Sequence, residues 1–150
     1  MTTTTREPSF LLKGAGLRVT RPRVAVLNAV AAAPHSTADE IAGQVRGSLG
    51  AVSTQAVYDV LRVCVGAGLL RRLEPAGASA LYETRIGDNH HHLVCRTCGR
   101  VTDVNCVVGA APCLQPSELD GFDVDEAEVV FWGTCRPCRS ASPSPEEIQR

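Results

Sequence analysis

Apolar residues recur at helical spacing along the first half of the chain, and each such segment begins with a residue that caps helices. Thr20 precedes the first segment, Thr37 stands three residues before Glu40 in the pattern of a capping box, and Ser53 precedes the third segment. Hydroxyl side chains at these positions accept hydrogen bonds from the unpaired amide groups of the first helical turn. Besides a short helix at residues 10–13, the pattern predicts three helices, at residues 21–33, 38–47 and 54–65.

Two short apolar runs follow the third helix and are separated by the turn sequence Pro75-Ala76-Gly77-Ala78. The runs, residues 69–74 and 80–84, predict the two strands of a β-hairpin. Three helices and a hairpin in this order are typical of a winged helix-turn-helix domain. We place this domain at residues 1–86, with a flexible arm at residues 1–9.

The second half of the chain shows the two-residue alternation of β-strands. The alternation predicts three strands, at residues 91–95, 101–104 and 122–133, the last with a bulge at Asp125 and Glu126. A short helix is predicted at residues 112–119. An α/β module of this size, at residues 87–139, exposes a sheet edge, which predicts a homodimer formed through it. Residues 140–150 are expected to be a tail. The predicted fold class is therefore α+β.

Charge is distributed unevenly between the two halves. Residues 1–86 hold ten Lys and Arg against six Asp and Glu (+4), and residues 87–150 hold five against ten (−5), which together give the −1 of the whole chain. A basic first half suits a polyanion such as DNA, although an uneven solvated surface would look the same. No run is apolar enough for a membrane span and no signal-peptide core is present, so we expect a cytoplasmic protein with no membrane partner.

The predicted third helix has one apolar and one polar face. Its polar face carries Thr54, Gln55, Tyr58, Asp59 and Arg62. Gln and Arg hydrogen-bond base edges, and Tyr contacts thymine methyl groups or phosphates, so this face is typical of a DNA-reading helix. An ordinary solvated face is the alternative. The winged-helix context favours DNA reading.

Four of the seven cysteines form two Cys-x-x-Cys pairs, Cys95 with Cys98 and Cys135 with Cys138. Two such turns present four thiolates to one ion, which is the ligand set of a structural tetrahedral zinc site. A thioredoxin-like redox pair is the alternative, but it requires a single pair in a βαβ setting, which is absent here. We therefore predict a structural Zn(II) ion on these four residues.

Three of the four histidines are consecutive. On a strand, His90 and His92 share one face and His91 points to the other. With Glu83 and Asp103 in reach, the same-face pair suits a borderline ion such as Zn(II), Fe(II), Mn(II) or Ni(II). The pattern thus predicts a second metal site, distinct from the cysteines.

Taken together, these residues resemble the ferric uptake regulator (Fur) family of metal-responsive bacterial repressors. The resemblance covers about residues 10–138 and is carried by residues 15–23, 55–61 and 90–99 and by the second cysteine pair. The chain looks most similar to the actinobacterial FurA/CatR branch, which is associated with repression of catalase-peroxidase genes.

The resemblance implies an N-terminal winged helix, a C-terminal dimerisation domain and structural zinc on the paired cysteines. It also implies a regulatory site for Fe(II) or Mn(II), which Zn(II) could occupy in vitro, on His35, Glu83, His90, His92 and Asp103. This reverses the surface or helix-capping role that spacing alone favours for His35. Asp103 stands where peroxide-sensing members carry an Asp that tunes iron-catalysed oxidation of the histidine ligands.

The resemblance also bears on DNA contacts, because Tyr58 stands where the family has a base-contacting Tyr and Lys13 lies near its minor-groove lysine. The full set of expected DNA-binding residues is Lys13, Arg18, Arg21, Arg23, Ser53, Thr54, Gln55, Tyr58 and Arg62. The chain departs from the family at Asp59, which replaces the usual Arg.

Many family members have a third metal site in the dimerisation domain. At the corresponding positions of this chain only His91 could ligate, because the others are Asn89, Ala110 and Ala127. We therefore expect that site to be absent. Three cysteines lie outside the pairs. Cys64 is expected to lie in the core, and Cys106 and Cys113 are expected to be buried structural thiols, with redox activity as the alternative.

The sequence thus predicts a homodimeric repressor, not an enzyme, that binds an A/T-rich inverted repeat in double-stranded DNA when its metal is bound and responds to peroxide. The expected targets are a catalase-peroxidase gene and its own gene. A zinc- or nickel-uptake regulator of the same family is the first alternative. A zinc hydrolase is disfavoured because no His-Glu-x-x-His motif is present. A metal chaperone would show no salt-dependent DNA affinity.

Overall fold

The computed structural model describes residues 6–141, so residues 1–5 of the predicted arm and 142–150 of the predicted tail lie outside it. The chain forms two compact units, Met1–Gly87 and Asp88–Arg150. None of the helices in residues 6–141 is long and apolar enough to cross a membrane. The first unit contains, in order, α1 (Pro8–Gly14), α2 (Arg21–Ala32), β1 (Ser36–Thr37), α3 (Ala38–Leu49), α4 (Thr54–Gly66), β2 (Arg71–Leu73) and β3 (Leu81–Glu83).

The predicted caps begin the three main helices. Thr20 Oγ1 accepts a hydrogen bond from the main-chain N–H of the third helical residue of α2 at 3.4 Å. Ser53 Oγ does the same for α4 at 3.1 Å. Thr37 and Glu40 form the reciprocal capping box of α3, at 3.2 Å and 2.8 Å. Helix α1 begins at Pro8, capped by the Glu7 carboxylate, so the prediction that residues 8 and 9 belong to a flexible arm was wrong.

The helices of the first unit pack around one apolar core. Each of α2, α3 and α4 contributes a stripe of fully buried aliphatic side chains, namely Val26 and Val30, Ile41 and Val45, and Val57 and Leu61. Leu12 brings α1 onto the same core. Burying each such side chain stabilises the fold by about 1.5–3 kcal/mol before the loss of chain entropy is counted.

The short strand β1 was not predicted. Ser36 of β1 lies opposite Tyr82 of β3, and the sheet has the order β1-β3-β2. Ser36 Oγ also donates to the Ala33 carbonyl at 2.7 Å, which fixes the chain as it leaves α2. Two residues are too few to show a periodic pattern, which is why the sequence carries no signal for this strand.

The described part of the second unit, residues 88–141, is a three-stranded sheet with one short helix: β4 (His90–Cys95), β5 (Val101–Asn105), β6 (Val130–Gly133) and α5 (Arg136–Ala141). Strand β4 is central, antiparallel to β5 and parallel to β6. The register places His92 opposite Asp103 and Cys95 opposite Gly133. Strand β5 therefore places Asp103 beside His92, and β6 places Gly133 beside Cys95.

Two predictions for the second unit were wrong. Residues 112–119 form no helix, because Pro116 lacks an N–H and disfavours helical backbone at the residue before it. The predicted strand at 122–133 is formed only at Val130–Gly133. Residues 122–129 carry four carboxylates and are mostly exposed. Because their apolar side chains do not pack against a buried surface, the alternation does not lead to a strand there. Helix α5, directly after Cys135, was not predicted.

Replacing Thr37 by Ala is expected to lower the free energy of unfolding by about 1 kcal/mol, because the amide at the start of α3 loses its acceptor. The matched control is Thr37→Ser, which keeps the hydroxyl and should stay within a few tenths of a kcal/mol of the parent protein. Urea denaturation followed by helical circular dichroism measures both. Equal losses for the two variants would contradict the capping role.

Candidate metal centres and nucleic-acid face

The four paired cysteines gather at one end of the second unit and are called the four-cysteine cluster below. Cys95 ends β4, and Gly99 (φ 74°) turns the chain after Cys98. The parallel register of β4 and β6 carries the second pair to the same end, with Cys138 in α5. The pairing of two strands distant in sequence thus assembles the site that the two motifs predict.

The geometry of this cluster fits a zinc ion. One sulfur from each cysteine lies within 4.8 Å of all the others. Cys98 Sγ and Cys135 Sγ are 3.8 Å apart. A tetrahedral ion with Zn–S bonds of about 2.3 Å requires sulfur separations of roughly 3.8 Å. The donor set therefore matches structural Zn(II) in both type and spacing.

Main-chain amides around the cluster favour a thiolate at one position. The N–H groups of Cys135 and Cys98 donate to the Cys95 sulfur and lower its pKa to about 5. The first of these contacts is 3.3 Å long. By contrast, hydrogen bonds to the neighbouring Cys135 and Cys98 sulfurs raise the pKa of Cys138 to about 12. A cation bound to all four sulfurs would stabilise every one of them as a thiolate, which would offset the difference between the pKa values of Cys95 and Cys138.

A second group in the same unit comprises His90, His92 and Asp103, called the histidine–aspartate cluster below. The two rings lie on one face of β4 with centroids 4.9 Å apart. Asp103 Oδ1 is 3.4 Å from His92 Nε2 and 3.8 Å from His90 Nε2. Asp88 contacts the other nitrogen of His90, Nδ1, at 2.7 Å. A carboxylate on Nδ1 holds the ring so that Nε2 can face an ion.

The first unit contains a matching pair of donors, His35 and Glu83. His35 Nε2 lies 3.2 Å from Glu83 Oε2, and Glu83 is buried. The His35 main-chain N–H donates to the Tyr82 carbonyl at 2.9 Å. His35 holds a left-handed backbone with φ 64°. The unpredicted strand β1 thus places His35 beside the end of β3, which its sequence spacing did not reveal.

Three residues of the polar face of α4, Gln55, Tyr58 and Arg62, are exposed, with Tyr58 43% exposed, whereas Thr54 and Asp59 are half-buried. Several polar side chains of this face also hydrogen-bond to one another. Asp59 Oδ1 accepts hydrogen bonds from Gln55 Nε2 at 3.1 Å and from Arg62 at 3.0 Å. A groove between this face and the hairpin is lined by these side chains and by Arg72. The residue that departs from the family pattern therefore holds two of the expected DNA contacts.

The remaining expected DNA contacts fall into two groups. Lys13, Arg18, Arg21 and Ser53 are exposed. Arg23 and Thr54 are half-buried and make contacts inside the unit. The Arg23 guanidinium donates to the Arg18 carbonyl at 2.8 Å, and Arg46 donates to the Thr54 hydroxyl. These two residues hold neighbouring loops in place, a role that the sequence did not indicate.

Two of the cysteines outside the pairs lie beside His91, and the three residues are called the His91–thiol cluster below. Cys113 Sγ is 3.2 Å from His91 Nε2. One donor atom from each of His91, Cys106 and Cys113 lies within 4.8 Å of the others. Cys106 and Cys113 are half-buried, whereas they were expected to be buried. The cysteines outside the pairs were the sequence signal for this group, but their spacing did not show that a loop brings two of them to His91. The third such cysteine, Cys64, is buried in the first unit, where burial raises the pKa of its thiol.

Comparison with known proteins gives consistent results. The model of the ferric uptake regulator family matches residues 14–125. The transcriptional regulator FurA of Mycobacterium tuberculosis is 58% identical over 127 residues, which is 85% of this chain and 86% of that protein. The peroxide operon regulator of Bacillus subtilis is 32% identical over 139 residues, 89% of this chain and 92% of that protein.

A solved structure agrees with these sequence matches. The crystal structure of the Vibrio cholerae ferric uptake regulator has a TM-score of 0.64 and 26% identity. It covers 85% of this chain, and the match covers 98% of that chain. The predicted α+β fold class, with a helical N-terminal part and a cysteine-bearing sheet, is thereby confirmed.

Replacing Cys98 by Ser is expected to release the structural zinc and to lower the melting temperature on the order of 10 °C or more, because the ion links two strands of a small unit. Cys98 is exposed, so the change removes little packing. Elemental analysis and thermal denaturation measure the two effects. Cys64→Ala, a thiol change in the other unit, should retain the zinc. Full zinc content in Cys98→Ser would contradict the assignment.

Proposed function

The chain belongs to the ferric uptake regulator family, and from this premise we propose that it is a metal-dependent repressor that binds a double-stranded DNA operator as a homodimer. Members of the family are transcriptional regulators and not enzymes, which confirms the prediction that this chain is not a hydrolase. The metal, the signal and the operator are the finer parts of the proposal.

Donor chemistry carries the proposal of metal dependence. The histidine–aspartate cluster of the second unit offers two imidazoles and a carboxylate with Asp103 within 3.8 Å of both rings. The His35–Glu83 pair of the first unit offers one of each at 3.2 Å. We propose that these five residues ligate one regulatory ion. An ion that takes ligands from both units would bias the hinge between them, and so the spacing of two DNA-reading helices in a dimer.

The regulatory ion in this proposal is Fe(II) or Mn(II). Imidazole and carboxylate ligands suit both ions, and such sites discriminate weakly, so Zn(II) could enter in vitro. This set differs in chemistry from the four-cysteine cluster, which suits Zn(II) because its donors are soft thiolates. The two sites can therefore hold different metals in one chain.

Peroxide is the proposed release signal. A relative that is 32% identical over most of this chain is named for the peroxide operon. Asp103 contacts both histidines that an iron-catalysed oxidation would attack. Bound Fe(II) would supply the electrons for peroxide cleavage, whereas Mn(II) would not.

A catalase-peroxidase gene and the chain's own gene are the proposed targets. The cytoplasm is the location that this function requires.

The DNA-binding part of the proposal places α4 in the major groove of an A/T-rich inverted repeat. Tyr58 and Arg62 are exposed on this helix, and the Arg62 guanidinium contacts the Asp59 carboxylate at 3.0 Å on the protein surface. Surface ion pairs are weak, so DNA phosphates and bases can compete for the guanidinium. The carboxylate should nevertheless oppose an approaching polyanion.

Exposed apolar side chains support the proposed homodimer. Leu93 and Phe131 lie opposite each other on β4 and β6 and are 46% and 48% exposed. Both flanking strands, β5 and β6, are sheet edges within the described part of the unit. Covering such a face and such edges with a second copy would bury apolar surface and satisfy unpaired main-chain groups.

A mobility shift on the promoter of the chain's own gene tests metal dependence. Fe(II) or Mn(II) is expected to raise affinity at least tenfold over the protein with only its structural zinc, and His92→Ala should abolish this gain. Nickel-only or zinc-only activation would instead support an uptake regulator for those metals. No metal effect in the parent protein would rule out the regulatory site.

Peroxide should release the iron-loaded protein from this promoter and add one oxygen atom to the imidazole ring of His90 or His92, with water as the other product. Intact-mass and peptide mass spectrometry measure the addition. The Mn(II)-loaded protein is the matched control and should stay bound and unmodified. Release without any added oxygen would contradict oxidation of the ligands.

Replacing Tyr58 by Ala is expected to weaken operator binding on the order of tenfold, because a good base contact is worth about 1–3 kcal/mol. Tyr58→Phe keeps the ring and should lose less. Fluorescence anisotropy at fixed salt measures both variants. Unchanged affinity in Tyr58→Ala would show that α4 does not read the operator.

Replacing Asp59 by Asn is expected to strengthen DNA binding several-fold and to steepen its salt dependence, because Arg62 becomes available for phosphate. Asp39→Asn removes the same charge from an exposed position on α3 and serves as the control. An equal gain in both variants would mean that only net charge matters.

A further inference from the structure

His91 is buried in a setting that offers it few polar partners. It lies on the face of β4 opposite His90 and His92 and is 5% exposed. Its Nε2 contacts the Cys113 sulfur at 3.2 Å, and its Nδ1 has no hydrogen-bond partner among the described residues. Buried polar groups are nearly always satisfied, so a ring with so little hydrogen bonding calls for a stronger interaction.

The loop that carries the two thiols is held against the start of β4. The main-chain carbonyl of Asn89 accepts a hydrogen bond from the Cys106 N–H at 3.2 Å. Its side-chain amide donates to the Ala110 carbonyl at 2.9 Å. One residue thus fixes both the first thiol and the middle of the loop that leads to Cys113. The three donor atoms are brought together before any ligand binds, which reduces the entropy lost on binding.

We propose that His91, Cys106 and Cys113 form a third metal site, which takes a thiophilic ion such as Zn(II). One nitrogen and two sulfurs within 4.8 Å are compatible with a single ion. Bonds of about 2.3 Å to sulfur and 2.0–2.1 Å to nitrogen put tetrahedral donors roughly 3.5–3.8 Å apart, so small side-chain shifts suffice. The fourth position is left to water. This site differs from the family's third site, which is still expected to be absent because Asn89, Ala110 and Ala127 cannot ligate.

The ligand set separates this site from the other two. The four-cysteine cluster has no nitrogen donor, and the histidine–aspartate cluster has no sulfur donor. Thiolates favour Zn(II) and Cu(I) over Fe(II) and Mn(II), so the site would not compete for the proposed regulatory ions. The proposal does not depend on DNA binding or repression, and either could fail without the other.

Co(II) provides a selective test, because cobalt bound to thiolates shows an intense near-ultraviolet charge-transfer absorption that cobalt on nitrogen and oxygen ligands lacks. The full chain, reduced and kept under inert gas, is first loaded with Zn(II) in the four-cysteine cluster. Co(II) is then titrated in, with the zinc content measured before and after. A charge-transfer band at constant zinc content is expected, and added Zn(II) should bleach it.

Variants assign the band to its ligands. Cys106→Ser with Cys113→Ser should abolish it, and His91→Gln should weaken Co(II) affinity at least tenfold. Cys64→Ala is the matched control, since it removes the remaining unpaired thiol, and it should keep the band. The proposal is overturned if the parent protein shows no band, if the double variant retains it, or if the band rises only as zinc leaves the four-cysteine cluster.

Discussion

Side-chain alternation along β4 sets the positions of the donors around which all three clusters of the second unit are built. His90 and His92 point to one face, His91 points to the other, and Cys95 ends the strand. Because the period is two residues, a slip of one position would exchange the faces and scatter all three donor sets. Pairing with β5 and β6 on either side prevents such a slip, since it fixes the register of His92 against Asp103 and of Cys95 against Gly133.

The sheet that imposes this register is itself small. Its strands are 4–6 residues long, and several of its apolar side chains remain exposed. A unit of this size buries too little surface to be robust by itself. The four-cysteine cluster joins the ends of β4 and β6, and an ion there would replace part of the missing core. Structural zinc and the proposed dimer contact would thus compensate for the same shortage of buried surface.

Donor chemistry divides the three donor clusters found in residues 6–141 by softness. The softest set has four sulfurs, the next has two sulfurs with one imidazole, and the hardest has imidazoles with carboxylates. Affinity order alone would let one metal dominate, so selectivity has to come from ligand type and geometry. On this basis the proposed regulatory ion could exchange at the histidines while thiophilic ions stay on sulfur.

The Asp59 carboxylate restrains α4 by accepting a hydrogen bond from Arg62 at 3.0 Å. In the proposed DNA complex, phosphate would compete with this carboxylate for the guanidinium.

Local patterns determined much of this protein. Caps such as Thr37 specified where helices begin, and paired cysteines specified a zinc ligand set, because both signals act over a few residues. The pairing of distant segments was decided only by the tertiary structure. The two-residue strand β1 places His35 beside Glu83, and a folded loop brings Cys106 and Cys113 to His91. Contacts between residues far apart in sequence leave no periodic trace, which is why the fold had to reveal them.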